Sequence, residues 1–260
     1  MQAITFPNAA TTLGSSAYYV SRFSPVDIRD NLAVLFLWKQ ELLELYALSD
    51  PGVARMKLQW WQEQIFLPVD NPSAHALAHN LFQLIQQDTT LSESVKTMIK
   101  ETDRHLHRQP YRDIDEFRQG CENFGGSFAR LINTVSSCRT ETRDLVVGSY
   151  AIAAEWLQLM GQHIRYNIRL IPQTMLDINA IRFEELLYEN KQQQTREILK
   201  QLYMEIENKS TLPAPKRSSS PLYKYYRLRK KMMDLLLAED FDVLDQKISL
   251  TPIRKLWFAL

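Results

Sequence analysis

The sequence predicts an all-α fold, a bundle of helices, on three observations. Glycine occurs only 7 times in 260 residues while hydrophobic residues make up 45%, a balance that suits long packed helices with few tight turns. Apolar residues recur at three- and four-residue spacings along most of the chain, which is the period of a helix face. No stretch alternates apolar and polar residues for long enough to build a sheet, and there is no internal repeat. A chain of this length can bury a sizeable core, and one domain over residues 1–260 is expected.

The elements follow in order. Asp30 or Asn31 offers an N-cap to an apolar run from Leu32 through Trp38 to Leu48, which Asp50-Pro51-Gly52 stops. A second helix, Val53 to Phe66, is expected to bury Met56, Trp60 and Ile65 and to end before Pro68. Pro72 opens a third, with Leu77, Leu81, Leu84 and Ile85 in register, and Ser92 to His107 reads as a more polar fourth. Asp113 with Glu116 has capping-box form ahead of Phe117, Cys121, Phe124, Phe128, Leu131 and Ile132. Gly125-Gly126 in the middle of that helix costs about 1 kcal/mol per glycine against alanine, so close packing or a bent, cavity-lining segment is expected there. Thr142 to Gln162 is apolar nearly all round and therefore central. Glu184 to Glu207 is helical and polar-faced, residues 208–221 form a loop with three prolines, and a last helix runs from Leu222 to Ala238 before the tail.

Charge and cysteine usage bound the function. With 31 basic and 30 acidic side chains the net charge is +1, so no global field recruits nucleic acid, and an anionic partner must be met locally. Cys121 and Cys138 lack metal-ligand or redox spacing and read as reduced, buried small hydrophobes. No apolar run reaches membrane-spanning length and no signal or transit pattern opens the chain. The expected location is cytoplasmic, at most peripheral to an inner membrane.

Four blocks carry a resemblance: SAYYVSRFSP at Ser16 to Pro25, ARMKLQWWQEQI at Ala54 to Ile65, ENFGGSFARL at Glu122 to Leu131, and the tail FDVLDQKISLTPIRKLWFAL. Together, in this order, they resemble the squalene and phytoene synthase family. The resemblance implies the isoprenoid synthase fold, helices around a deep central cavity, and enzymes that join two prenyl diphosphates head to head with Mg²⁺ held by two aspartate-rich motifs. It also implies that Ser16, Tyr19 and Arg22, which match the first block's motif, contact diphosphate. In its compact length and its first-motif degeneration the chain is similar to the mitochondrial complex I assembly factors that carry a phytoene-synthase-like domain.

Mg²⁺ wants octahedral oxygen ligands and is usually held by carboxylates plus substrate phosphates, and acids three or four residues apart share one helix face. The chain fails that spacing test. Where the family has Arg-x-x-Asp-Asp-x-x-Asp, placing Lys39 on the arginine puts Leu42 and Tyr46 where acids belong. Shifting by one rescues Glu41 but puts Trp38 on the arginine and Leu45 on the last acid, so only a Glu41/Glu44 pair remains. Where the family has its second motif, the stretch Glu155 to Pro172 holds no aspartate, and Glu155, Gln158 and Gln162 form its polar stripe. The tyrosine ahead of the family's Gly-Gly region is replaced by Gln119 or Gly120.

Each residue has an ordinary reading beside the functional one. Glu41 and Glu44 read as rim acids in contact with Lys39. Glu155, in an apolar helix, needs a partner, supplied by Arg165, His163 or another basic group. His75 and His79 lack a third metal ligand. Arg227, Arg229, Lys230 and Lys231 beside Tyr223, Tyr225 and Tyr226 read as a solvated helix face, or as a peripheral membrane or partner-protein contact.

Two functions are therefore expected to compete. The first is a non-catalytic family member that binds an isoprenoid or lipid in its cavity, or a protein partner, with no cofactor. The alternative is an active Mg²⁺-dependent prenyltransferase of phytoene or squalene synthase type in which Glu41, Glu44 and Glu155 replace the aspartates. Losing several metal-ligating acids, each worth several kcal/mol, favours the first.

Overall fold

The computed structural model describes residues 3–67, 74–86, 88–209 and 220–260, and among them there are helices and no strand. The chain runs through α1 (Ser16–Arg22), α2 (Arg29–Glu44), α3 (Pro51–Ile65), α4 (Ala76–Ile85), α5 (Thr89–Leu106) and α6 (Ile114–Cys121). A π-helical turn, Glu122–Gly126, leads into α7 (Ser127–Val135), then α8 (Thr142–Gln158), α9 (Met160–Arg165), α10 (Gln173–Ile178), α11 (Gln192–Lys209), α12 (Pro221–Ala238) and α13 (Pro252–Ala259).

Start signals are mostly local. Ser15, Asp50, Asp88, Asp113, Ser220 and Thr251 each accept a backbone N–H from the first turn of the helix that follows, satisfying donors a helix leaves open. Proline at the first turn of α3, α12 and α13 has no N–H to lose. Asp30 and Asn31 are not caps: α2 begins at Arg29, and the Asp30 carboxylate accepts the Phe6 N–H instead, tying down the N-terminal segment. Pro72 and residues 210–219 of the loop expected at 208–221 lie outside the described residues, while α11 extends into the expected loop as far as Lys209 and Pro221 already belongs to α12.

The buried face of α3 is Ala54, Leu58, Trp61 and Ile65, leaving Met56 and Trp60 exposed. Trp61 continues the four- and three-residue spacing of Ala54, Leu58 and Ile65 and takes the core, edge-on to Trp38, while Trp60 lies about 100° round the helix. The long apolar stretch from Thr142 breaks at Leu159 into α8 and α9, and the segment from Glu184 to Lys191 forms short 3-10 turns ahead of α11. Cys121 is buried but Cys138 is exposed in the turn after α7.

The central crossing explains the glycine pair. Gly125 in the π-helical turn lies against Gly148 of α8, and a Cβ on either would fall on the other's carbonyl oxygen. Gly126, by contrast, has ordinary room beside Leu145. The core around this crossing is filled by Phe124, Phe128, Tyr150, Trp156 and Trp38, all buried.

Candidate functional site

A cavity of about 640 Å³ lies between α2, α8, α9, α12 and the two ends of the described chain, within the size range of small-molecule sites. Helical spacing builds its walls. Lys39 and Leu43 of α2, with Tyr46 in the following turn, project on one line; Glu155, Gln158 and Gln162 form the facing stripe; Tyr225 and Arg229 stand one turn apart on α12. Ser15 and Ser16 at the start of α1 and Lys247, Ser249 and Lys255 from the C-terminal segment complete the lining, the two segments joined by the Lys255 bond to the Gly14 carbonyl.

An ion cluster occupies its floor. Lys39 Nζ lies 2.5 Å from Glu155 Oε2, the Tyr225 hydroxyl donates to the same oxygen at 2.6 Å, and Arg229 Nη2 stands 3.1 Å away. Arg229 also donates to Gln158 Oε1 at 3.0 Å, and Lys39 donates to the Tyr225 oxygen at 3.0 Å. Burial pushes the Glu155 carboxyl up, but Arg229 and Lys39 outweigh it and hold the group at about 2. Glu155 is thus an ionised, fully engaged counterion.

Of the remaining lining charges, Lys247 and Lys255 are cationic and Glu44 is anionic. Arg229 and Lys247 stand close enough to Lys255 to disfavour its charge, after burial, which lowers it most. Four cations, Lys39, Arg229, Lys247 and Lys255, line the cavity against two carboxylates, Glu155 and Glu44. Glu44 sits exposed at the rim, bonded by Gln40 at 2.6 Å.

A second buried network backs the cavity. The Tyr46 hydroxyl is 2.7 Å from His105 Nδ1, His105 Nε2 is 2.6 Å from the Tyr111 oxygen, and Tyr111 donates to Glu101 Oε1 at 2.7 Å. Because Tyr111 gives its proton to Glu101, His105 must donate from Nε2 and accept from Tyr46 at Nδ1. Burial holds His105 at about 3, helped by His163 and Arg104, and keeps it neutral. Burial likewise raises the Tyr46 phenol. His163, edge-on to Tyr46, lines the cavity with no hydrogen-bond partner for either ring nitrogen among the described residues, and burial lowers it to about 4.

The sequence-predicted residues separate. Ser16, Glu44, Glu155, Gln158 and Gln162 line the cavity. Glu41 points away, 3.3 Å from Lys57 of α3 rather than at Lys39. Tyr19 is buried, its ring stacked on Phe23 at 6.4 Å, and Arg22 is exposed at the end of α1; neither lines the cavity. Neither Arg165 nor His163 partners Glu155. Arg165 reaches the Leu244 carbonyl, and the partners are Lys39 and Arg229. The basic run on α12 is not one solvated face: Arg229 enters the cavity, Lys230 pairs with Glu207 at 2.7 Å, and Tyr225 and Tyr226 are buried. His75 packs edge-on against Trp60 and Trp61.

The donor set does not fit a magnesium cluster. Of the two lining carboxylates one is neutralised by two cations and a phenol and the other stands alone at the rim. Among the described residues no three His, Cys, Asp or Glu side chains gather closely enough to hold a metal ion.

A family model described as squalene/phytoene synthase matches residues 11–254. Among solved structures, a dehydrosqualene synthase in complex with a ligand aligns at a TM-score of 0.62 and 10% identity, covering 94% of this chain and 89% of that one. A search of curated proteins finds no sequence match. At that identity the structural likeness shows the fold, which is the isoprenoid synthase arrangement of helices.

Proposed function

The chain belongs to the squalene/phytoene synthase family, and from that premise we propose that it is a non-catalytic member that uses the cavity to bind an isoprenoid or other lipid, in a binding or assembly role. The family is normally Mg²⁺-dependent. The observation that carries this reading is the closure of Glu155 by Lys39, Arg229 and Tyr225. Ionising a prenyl diphosphate needs divalent charge at the leaving group, and a carboxylate already paired with two buried cations has no charge left to offer a metal.

What the cavity can do is hold an amphiphile. Its apolar wall includes Phe36, Leu43, Leu159 and Met232, and its cations sit at Lys247, Lys255 and Arg229. A chain-like apolar ligand with an anionic end satisfies both. Purified protein incubated with Mg²⁺ and radiolabelled farnesyl or geranylgeranyl diphosphate tests this reading. It predicts bound label and no condensed product. A head-to-head product that disappears in Glu155→Gln would overturn it and establish the prenyltransferase alternative.

A further inference from the structure

The helix α13 is amphipathic in the reverse sense. Ala259 is buried and Phe258 packs toward Lys231 of α12, whereas Ile253 and Trp257 are 79% and 76% exposed. Ile253, Leu256 and Trp257 share an arc of about 100° on the outer side. Leu13, 78% exposed, lies next in the chain to Gly14, whose carbonyl accepts from Lys255 Nζ of α13 at 3.0 Å. An indole and two aliphatic side chains on the outer side of α13, with Leu13 exposed nearby, form an apolar surface of the kind that marks an interaction site.

Charge selects the occupant. Residues 246–260 contain no Asp or Glu and carry Lys247, Arg254 and Lys255, and residues 3–26 contain no acid either. Lys247 and Arg254 are exposed and have no carboxylate partner among the described residues. A protein partner would need acids around an apolar cleft. A bilayer with anionic lipids supplies both layers at once: headgroup phosphates for the cations, and the interfacial depth that indoles favour. The helix is also preformed, since Thr251 caps it and Pro252 sets its first turn, so docking costs little ordering entropy.

We propose that α13 and Leu13 form a docking face for an anionic membrane surface. The face shares Lys247 and Lys255 with the cavity lining, so docking brings the cavity mouth to the headgroup layer. The basic run of α12 adjoins this face through Lys231, which lies over the Phe258 ring, but Arg229, Lys230 and Lys231 each already pair with a carboxylate. The docking face stands whatever the cavity holds.

The test is co-sedimentation of the full chain with sucrose-loaded vesicles of phosphatidylcholine alone or mixed with phosphatidylglycerol. The expected result is binding to the mixed vesicles that is about tenfold weaker without phosphatidylglycerol and that falls as salt rises. Ile253→Asp and Trp257→Ala should each reduce the partition coefficient about tenfold while the helical circular dichroism stays unchanged. Ile178→Asp, exposed on α10, should leave it unaltered. Failure to sediment with mixed vesicles would overturn the proposal, as would equal binding by Ile253→Asp. A dimer in light scattering that Ile253→Asp abolishes, without vesicle binding, would overturn it in favour of a second copy.

Discussion

Lys39 and Glu155, separated by 116 residues in the chain, meet at 2.5 Å in the floor of the cavity, with Arg229 and Tyr225 completing the cluster. A buried charge without its partner is far more costly than a pair replaced as a whole. Glu155→Gln leaves Lys39 and Arg229 facing each other and should destabilise the protein by about 3–5 kcal/mol. Lys39→Met combined with Glu155→Leu should recover part of that loss, since one cation is removed together with the acid. Chemical denaturation of the three proteins measures both steps.

Acid sensitivity should set in well above the range where carboxylates titrate. His105 and His163 are held at about 3 and about 4, below the ordinary histidine value of about 6.5 in the unfolded chain. The unfolded chain then binds more protons, so stability is full above pH 6.5 and is lost as pH falls toward 4 for His163 and toward 3 for His105. The His163 share is on the order of 3 kcal/mol. His163→Leu, which removes no hydrogen bond among the described residues, should flatten the pH 6.5 to 4 segment of a stability profile. Glu155, at about 2, should contribute a separate loss between about pH 4.5 and 2, which His163→Leu leaves in place.

The glycine crossing predicts opposite signs for neighbouring substitutions. Gly125→Ala and Gly148→Ala each drive a methyl group into the other helix's backbone and should cost about 3 kcal/mol or more. Gly126→Ala has room and should stabilise by about 0.5–1 kcal/mol through lower unfolded-state entropy. Thermal melts of the three variants read the difference.

Ligand charge should matter more than metal. With four lining cations against two carboxylates, a prenyl chain ending in a phosphate or diphosphate should bind more tightly than the corresponding alcohol. Lys255→Gln should narrow that preference by about tenfold. Calorimetric titration with each ligand measures it.

The helices were legible because their signals are local. Asp113 caps in place, and Leu77, Leu81 and Ile85 bury as their spacing requires, whereas the caps Asp50 and Asp88 start α3 and α5 two and three residues earlier than expected. The side of α3 that faces the core was misread: Met56 and Trp60 outweighed the Ala54, Leu58, Trp61 and Ile65 spacing, whose small Ala54 gives a weak apolar signal, although that spacing is the one the core takes. The site was half legible. That Glu155 needs a counterion follows from its apolar helix, but which of many basic residues supplies it depends on how α2 and α12 fold back onto α8, a fact no local pattern contains. Lys39 was expected beside Glu41, its near neighbour in sequence, whereas Glu41 turns outward to Lys57. The tail helix α13 went unread because eight residues give too few turns for a periodic signal.

In the proposed reading, the Lys39–Glu155–Arg229 cluster stands where a divalent-ion cradle would be needed, and the cavity binds its ligand without metal. The most direct measurement is the dissociation constant of a non-hydrolysable farnesyl thiodiphosphate with excess Mg²⁺ and with a chelator. The account predicts saturable binding that changes by no more than about twofold between the two conditions. Binding that appears only with Mg²⁺, or strengthens by about tenfold or more when it is added, would contradict it.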